Sequence, residues 1–150
     1  MTWERMKMEN NLVNNDPLES ILVDSKTKLS RTKELLATIL KPFAEIDRES
    51  GELNILPESY DLTNEDLIIV FLCGRLAQNL LEKLPSGQDE KLSQKEIIKA
   101  LQTIPSGSIK AGLKRLRDNH FIKNEEGRNF VEFQHLERIS RRFPLSQKKE

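Results

Sequence analysis

Leu67–Cys73 is an unbroken run of seven apolar residues, and Thr63, Asn64, Glu65 and Asp66 precede it. Those four have the hydroxyl and acid spacing of a helix-starting capping box, with Asp in the usual Glu position. A helix launched there is apolar on nearly every side, and Leu76, Ala77, Leu80, Leu81 and Leu84 continue one face, so it is predicted to reach about Leu84. Such a helix belongs at the centre of a core, with neighbours on most sides. A chain of 150 residues is long enough to supply them as one compact domain, or as a small domain with an appendage. The run is far shorter than the ~20 residues that span a bilayer. No apolar signal segment stands in the polar, Asn-rich residues 1–15. The lone Cys73 excludes a disulfide framework and is read as a buried thiol in a reduced compartment. A soluble, cytoplasmic protein without a membrane partner is expected.

Residues 1–15 are expected to form a flexible tail, in which Trp3 either stays loosely packed or docks on a partner. Asp16 and Pro17 are a helix start. From there Leu22, Leu29, Leu36 and Phe43 form a column at heptad spacing, with Leu18, Ser25, Thr32 and Ile39 as a weaker one. Two readings stand. In one, the column Leu22, Leu29, Leu36 and Phe43 is an oligomerisation stripe that makes a homodimer. In the other, it is the inner face of an ordinary amphipathic helix, broken near Asp24 and Ser25. Pro42 ends the helix in both. Residues 43–56 then read as a β-hairpin around a polar stretch containing Gly51. Residues 16–60 thus form a dimerisation or packing extension.

From Leu92 the spacing becomes more specific. Ser93 caps a short helix bearing Ile97, Ile98 and Leu101; Thr103, Ile104 and Pro105 make a turn; Ser106 caps a second helix to about Asn119 with Ile109, Leu113 and Leu116 inward. Phe121–Lys123, a tight turn over Asn124–Gly127, and a strand Arg128–Phe133 follow. A last helix, Gln134 to about Arg142, presents Leu136 and Ile139. This order resembles the winged-helix family of helix-turn-helix domains over residues 61–142, with the apolar helix as the family's first. The fold class expected is mainly α with small β: a winged-helix domain preceded by a long amphipathic helix and a short β-hairpin, and followed by a basic tail, 143–150. The family usually places Gly before the first wing strand, where this chain has Asn119 and His120; Asn tolerates the left-handed backbone needed there.

The resemblance implies binding of double-stranded DNA by a small transcriptional regulator, with helix 106–119 in the major groove. At about 100° per residue, Lys110, Lys114 and Arg117 fall along one outward edge of that helix and Arg115 on the opposite shoulder. Ser106 and Ser108 sit at its N-terminal end, where backbone N–H groups favour phosphate. With Arg128 on the wing, these seven are the candidate nucleic-acid-binding residues. The chain has 24 bases and 24 acids, yet five bases face one acid over residues 104–123, and again over 138–150, where Arg138, Arg141, Arg142, Lys148 and Lys149 gather. Arg138, Arg141 and Arg142 share a helical side and extend a phosphate surface, or simply complement their helix dipole. Glu125 and Glu126 at the wing tip point to the alternative, a winged-helix adaptor that binds a protein partner and no nucleic acid.

No phosphate loop, dinucleotide turn, His-Glu-x-x-His or Cys pair occurs, so no enzyme, cofactor or metal is expected. Ser106 and Ser108 have no suitably placed His to activate them; His120 reads as a packed or capping side chain and His135 as an exposed helix start.

Overall fold

In the computed structural model, residues 16–143 are described; the expected N-terminal tail with Trp3, and Lys148 and Lys149, lie outside them. The chain divides into two units at Arg31 and Thr32. In the first, Asp16 accepts the Leu18 N–H through its side chain, and Pro17–Ile21 form a single 3-10 turn. Leu22 leaves it in extended conformation. The Asp24 carboxylate then accepts the Thr27 N–H at 2.7 Å, and helix α1, Ser25–Leu40, begins. The expected long helix from Asp16 is therefore two pieces, because Asp24 offers the backbone a new start.

The heptad column divides as well. Leu36 and Phe43 are buried, whereas Leu22 and Leu29 are exposed. Leu36 and Phe43 are thus packed within their own fold and do not join Leu22 and Leu29 in one exposed stripe. Spacing placed the four residues on one face; it did not say what that face meets.

The second unit is built on the expected apolar helix. α1 ends before Pro42, and β1 (Ala44–Ile46) pairs antiparallel with β2 (Leu53–Ile55). Between them Gly51 has φ +77°, and a Cβ there would stand 1.9 Å from the Lys83 carbonyl oxygen. Only glycine allows that approach. Helix α2, Asn64–Leu80, is capped by the Thr63 hydroxyl, which accepts the Asp66 N–H at 3.2 Å. Ile68, Ile69, Val70 and Cys73 are fully buried, and Gln78, equally buried, donates from Nε2 to the Gly51 carbonyl at 2.7 Å. α2 stops at Leu80 and not at Leu84. Glu82 turns left-handed (φ 55°), its N–H bonds to the Asn79 carbonyl, and the Lys83 N–H bonds to that of Gln78. This Schellman closure satisfies the last carbonyls.

β3 is only Leu92–Ser93 and was not expected; α3 (Gln94–Ala100) and α4 (Ser106–Asp118) follow. Ser93 and Glu96 form a complete capping box. Ser106, expected to cap α4, is instead its first helical residue; Pro105 holds the cap position without a side-chain bond. α4 also closes with a Schellman motif: His120 N–H to the Arg117 carbonyl, Phe121 N–H to that of Leu116. The left-handed residue is His120 (φ 61°), so Asn119 is not the one that takes it.

β4 (Lys123–Glu125) and β5 (Arg128–Phe130) make a tight hairpin through Glu126 and Gly127, both at positive φ. β5 ends at Phe130, short of the expected Phe133, because a 3-10 turn, Phe133–His135, starts there and leads into α5, Leu136–Ser140. β5 lies between β3 and β4. The fold is mainly helical with two small antiparallel sheets. No helix among the described residues is long and apolar enough to cross a membrane. Burial pushes the Cys73 thiol pKa up to about 12, so it is neutral at ordinary pH.

Candidate nucleic-acid interface

α4 turns Ile109, Leu113 and Leu116 into the core, all fully buried. Gly112 lets it lie close on α2, since a Cβ there would sit 3.1 Å from Ile68 Cδ1. The opposite face carries the candidate bases, and tertiary partners sort them. Lys110 is exposed and forms no ion pair among the described residues. Lys114, also exposed, pairs along the helix with Asp118 at 3.0 Å. In water such a pair is weak, and a phosphate can displace the carboxylate. Ser106 is exposed and Ser108 half-buried; the first turn contains no acid and no capping side chain. The N-terminal end of α4 and the Lys110–Lys114 edge therefore form one accessible, positive surface.

The other three bases are engaged. Arg115 donates from Nε to Glu65 of α2. Half-buried Arg117 donates to Asn129 Oδ1 at 3.3 Å. Arg128 pairs with Glu96 at 3.5 Å and donates to the Lys91 carbonyl at 2.9 Å. These guanidinium groups tie α4 to α2, α4 to β5, and β5 to the start of α3. They position the surface more than they extend it.

Asn129 is the hub of this arrangement. Almost fully buried, it donates from Nδ2 to the Leu92 carbonyl at 3.2 Å and accepts from Asn124 Nδ2 at 3.0 Å as well as from Arg117. Glu65, Glu96 and Asn129 are the residues sequence reading missed. Only Glu96 left a local signal, three residues after Ser93.

At the hairpin tip Glu125 pairs with Lys91 at 3.2 Å and Lys123 at 3.7 Å, while Glu126 is exposed. The C-terminal bases are also partly committed. Arg142 pairs with Asp66 at 2.7 Å; Arg138 donates to the His120 carbonyl at 3.0 Å; both guanidinium groups stand over the Phe121 ring, at 4.7 and 4.4 Å. Arg141 is exposed. His120 is exposed at the α4 terminus, whereas His135 is only half-exposed, with a buried Nδ1 that has no hydrogen-bond partner. Its expected place on the surface is corrected accordingly: the 3-10 turn draws it inward. Comparison with protein-family models, curated proteins and solved structures returns no match for this chain.

Proposed function

We propose that residues 61–142 form a winged-helix domain that binds double-stranded DNA, with α4 as the recognition helix in the major groove and the β4–β5 hairpin as the wing. The order helix, strand, helix, turn, helix and two-stranded ribbon supports this reading, as does a sheet in which β5 sits between β3 and β4. The observation that carries it is the α4 surface: an uncapped helix start, Ser106 and Ser108, with Lys110 and Lys114 beyond them and no acid in the first turn. Polar side chains at the N-terminal end of such a helix meet base edges, and the basic edge meets phosphates. Arg115, Arg117 and Arg128 act as positioning residues in this scheme. We assign the protein to transcription regulation in the cytoplasm, as a homodimer without catalytic chemistry.

The test is binding of a mixed-sequence duplex at low salt by wild type and by Lys110→Glu with Lys114→Glu. Both positions are exposed, so the fold should survive. The double variant is expected to lose at least tenfold in affinity. Its slope of log affinity against log salt should flatten by about 0.9 for each phosphate contact removed. Unchanged binding would refute the surface assignment. The second reading, a winged-helix adaptor for a protein partner, is favoured by one observation: the acidic hairpin tip, whose Arg128 already serves Glu96. Absence of binding to duplex and single strands at low salt, with a stoichiometric protein co-purifying, would select it.

A further inference from the structure

The second half of α1, the β1–β2 hairpin and the end of α2 enclose an apolar groove of about 370 Å³, lined by Leu36, Leu40, Ile46, Leu53, Leu80 and Leu81. Its volume falls at the low end of the range of ligand cavities, about 300–1,000 Å³. Lys33 and Lys41 stand at it with one acid, Glu45, and all three are exposed. A contiguous apolar surface of this kind marks an interaction site more often than an idle face.

The same chain carries a segment of matching chemistry. In the 3-10 turn Pro17–Ile21, Leu18 and Ile21 are three residues apart and so fall on one side. Leu22 and Val23 continue the segment. Leu18, Ile21 and Leu22 are 67%, 71% and 67% exposed, and no residue of the turn is buried. Single exposed aliphatic residues are ordinary, but four within six positions are not. The charges are complementary too. Residues 16–24 hold Asp16, Glu19 and Asp24 and no base, facing a groove with two lysines and one glutamate.

We infer that the groove receives residues 17–23 of a second copy of this chain. Leu18, Ile21 and Leu22 enter the apolar floor, and Asp16, Glu19 and Asp24 lie toward Lys33 and Lys41. Because each chain has one arm and one groove, two copies close on themselves by reciprocal exchange, with two-fold symmetry. The apolar contacts hold the arm, and the opposite charges set its direction. This inference deepens the dimeric part of the proposed function and does not depend on DNA binding.

Two experiments on the full chain test it. In the first, chains bearing Ile21→Cys alone are mixed with chains bearing Ala37→Cys alone, Ala37 being a further groove-lining residue of α1, and oxidised. A disulfide between chains is expected, and none from buried Cys73 in wild type. A chain carrying both substitutions that cross-links only to itself would show the arm in its own groove and overturn the exchange. In the second, sedimentation equilibrium reads the dimer constant. Leu18→Asp with Leu22→Asp should weaken the dimer at least tenfold with an unchanged circular dichroism spectrum. Lys33→Glu with Lys41→Glu should also weaken it, and adding Asp16→Lys with Glu19→Lys should recover it. A dimer indifferent to all these changes overturns the arm assignment alone; a wild-type monomer overturns the homodimer as well. In either case the duplex-binding test stands separately.

Discussion

Replacing Asn129 with Ala should be among the most damaging polar substitutions in this protein, and the structure says by how much. Asn129 is 1% exposed, and both ends of its amide are used. Loss of Nδ2 strips the Leu92 carbonyl of a 3.2 Å bond in a buried setting, which costs about 1–2 kcal/mol. Loss of Oδ1 removes the 3.0 Å bond from Asn124, an exposed residue whose freed amide can turn to water, and costs about 0.5–1 kcal/mol. The Arg117 bond is longer, at 3.3 Å, and half-exposed, so it adds about 0.5 kcal/mol. The total is about 2–4 kcal/mol. With a urea m-value of about 2 kcal/mol/M, the midpoint should fall by about 1–2 M.

Urea unfolding followed by far-ultraviolet circular dichroism measures this directly. Asn124→Ala is the internal comparison: it removes one bond to Asn129 and the 3.2 Å bond from the Gly127 N–H, both near the surface, and should cost about 1 kcal/mol. A double-mutant cycle between Arg117→Ala and Asn129→Ala should show coupling of about 0.5 kcal/mol. If Asn129→Ala lies within about 0.5 kcal/mol of wild type, as an ordinary surface change does, the hub is not a hub. Arg117 would then not hold α4 against β5 through Asn129.

Two further outcomes follow from the helix start and the hairpin. The Ser93 backbone N–H, with help from the Ser93 hydroxyl and nearby Arg128 and Arg75, outweighs desolvation and holds the Glu96 carboxyl below its ordinary pKa. A depressed carboxylate stabilises the fold at every pH above its unfolded value and loses that contribution as pH falls through its folded value. Glu96→Gln should therefore lower stability at pH 7 and narrow its gap to wild type on acidification below the usual glutamate range; a gap that does not depend on pH would contradict the capping-box account. Gly51→Ala should cost about 2–4 kcal/mol in the same urea assay, combining a left-handed backbone with a Cβ 1.9 Å from a carbonyl oxygen; a cost under 1 kcal/mol would mean that the Lys83 turn shifts freely.

What could be read in advance was whatever the chain encodes locally. Pro42 ended α1, Thr63 capped α2, Ser93 capped α3, and the 43–56 hairpin stands where a polar stretch with Gly51 placed it. Each of these rests on residues close to one another along the chain. β3 escaped notice because two residues carry no period, and it exists only through pairing with Arg128 and Asn129 far along the chain. The split of Leu22, Leu29, Leu36 and Phe43 escaped for a related reason: heptad spacing specifies a shared face, while burial depends on what folds against it.

The candidate site repeats the lesson with charge in place of apolar area. A helical wheel counts Lys110, Lys114, Arg115 and Arg117 alike as outward, but the field a phosphate meets depends on partners the wheel does not contain. Glu65 is fifty residues from Arg115, and it and Asn129 turn two of the four bases into struts. The effective positive edge is therefore narrower than the sequence count, centred on Lys110, Lys114 and the open start of α4. Because those two lysines face water and the remaining bases already have partners, contact with a polyanion should be short-ranged and sensitive to salt. That narrowing also decides which variants are informative: charge reversal at Lys110 and Lys114 probes binding, whereas reversal at Arg117 or Arg128 would confound it with the loss of the sheet those residues hold.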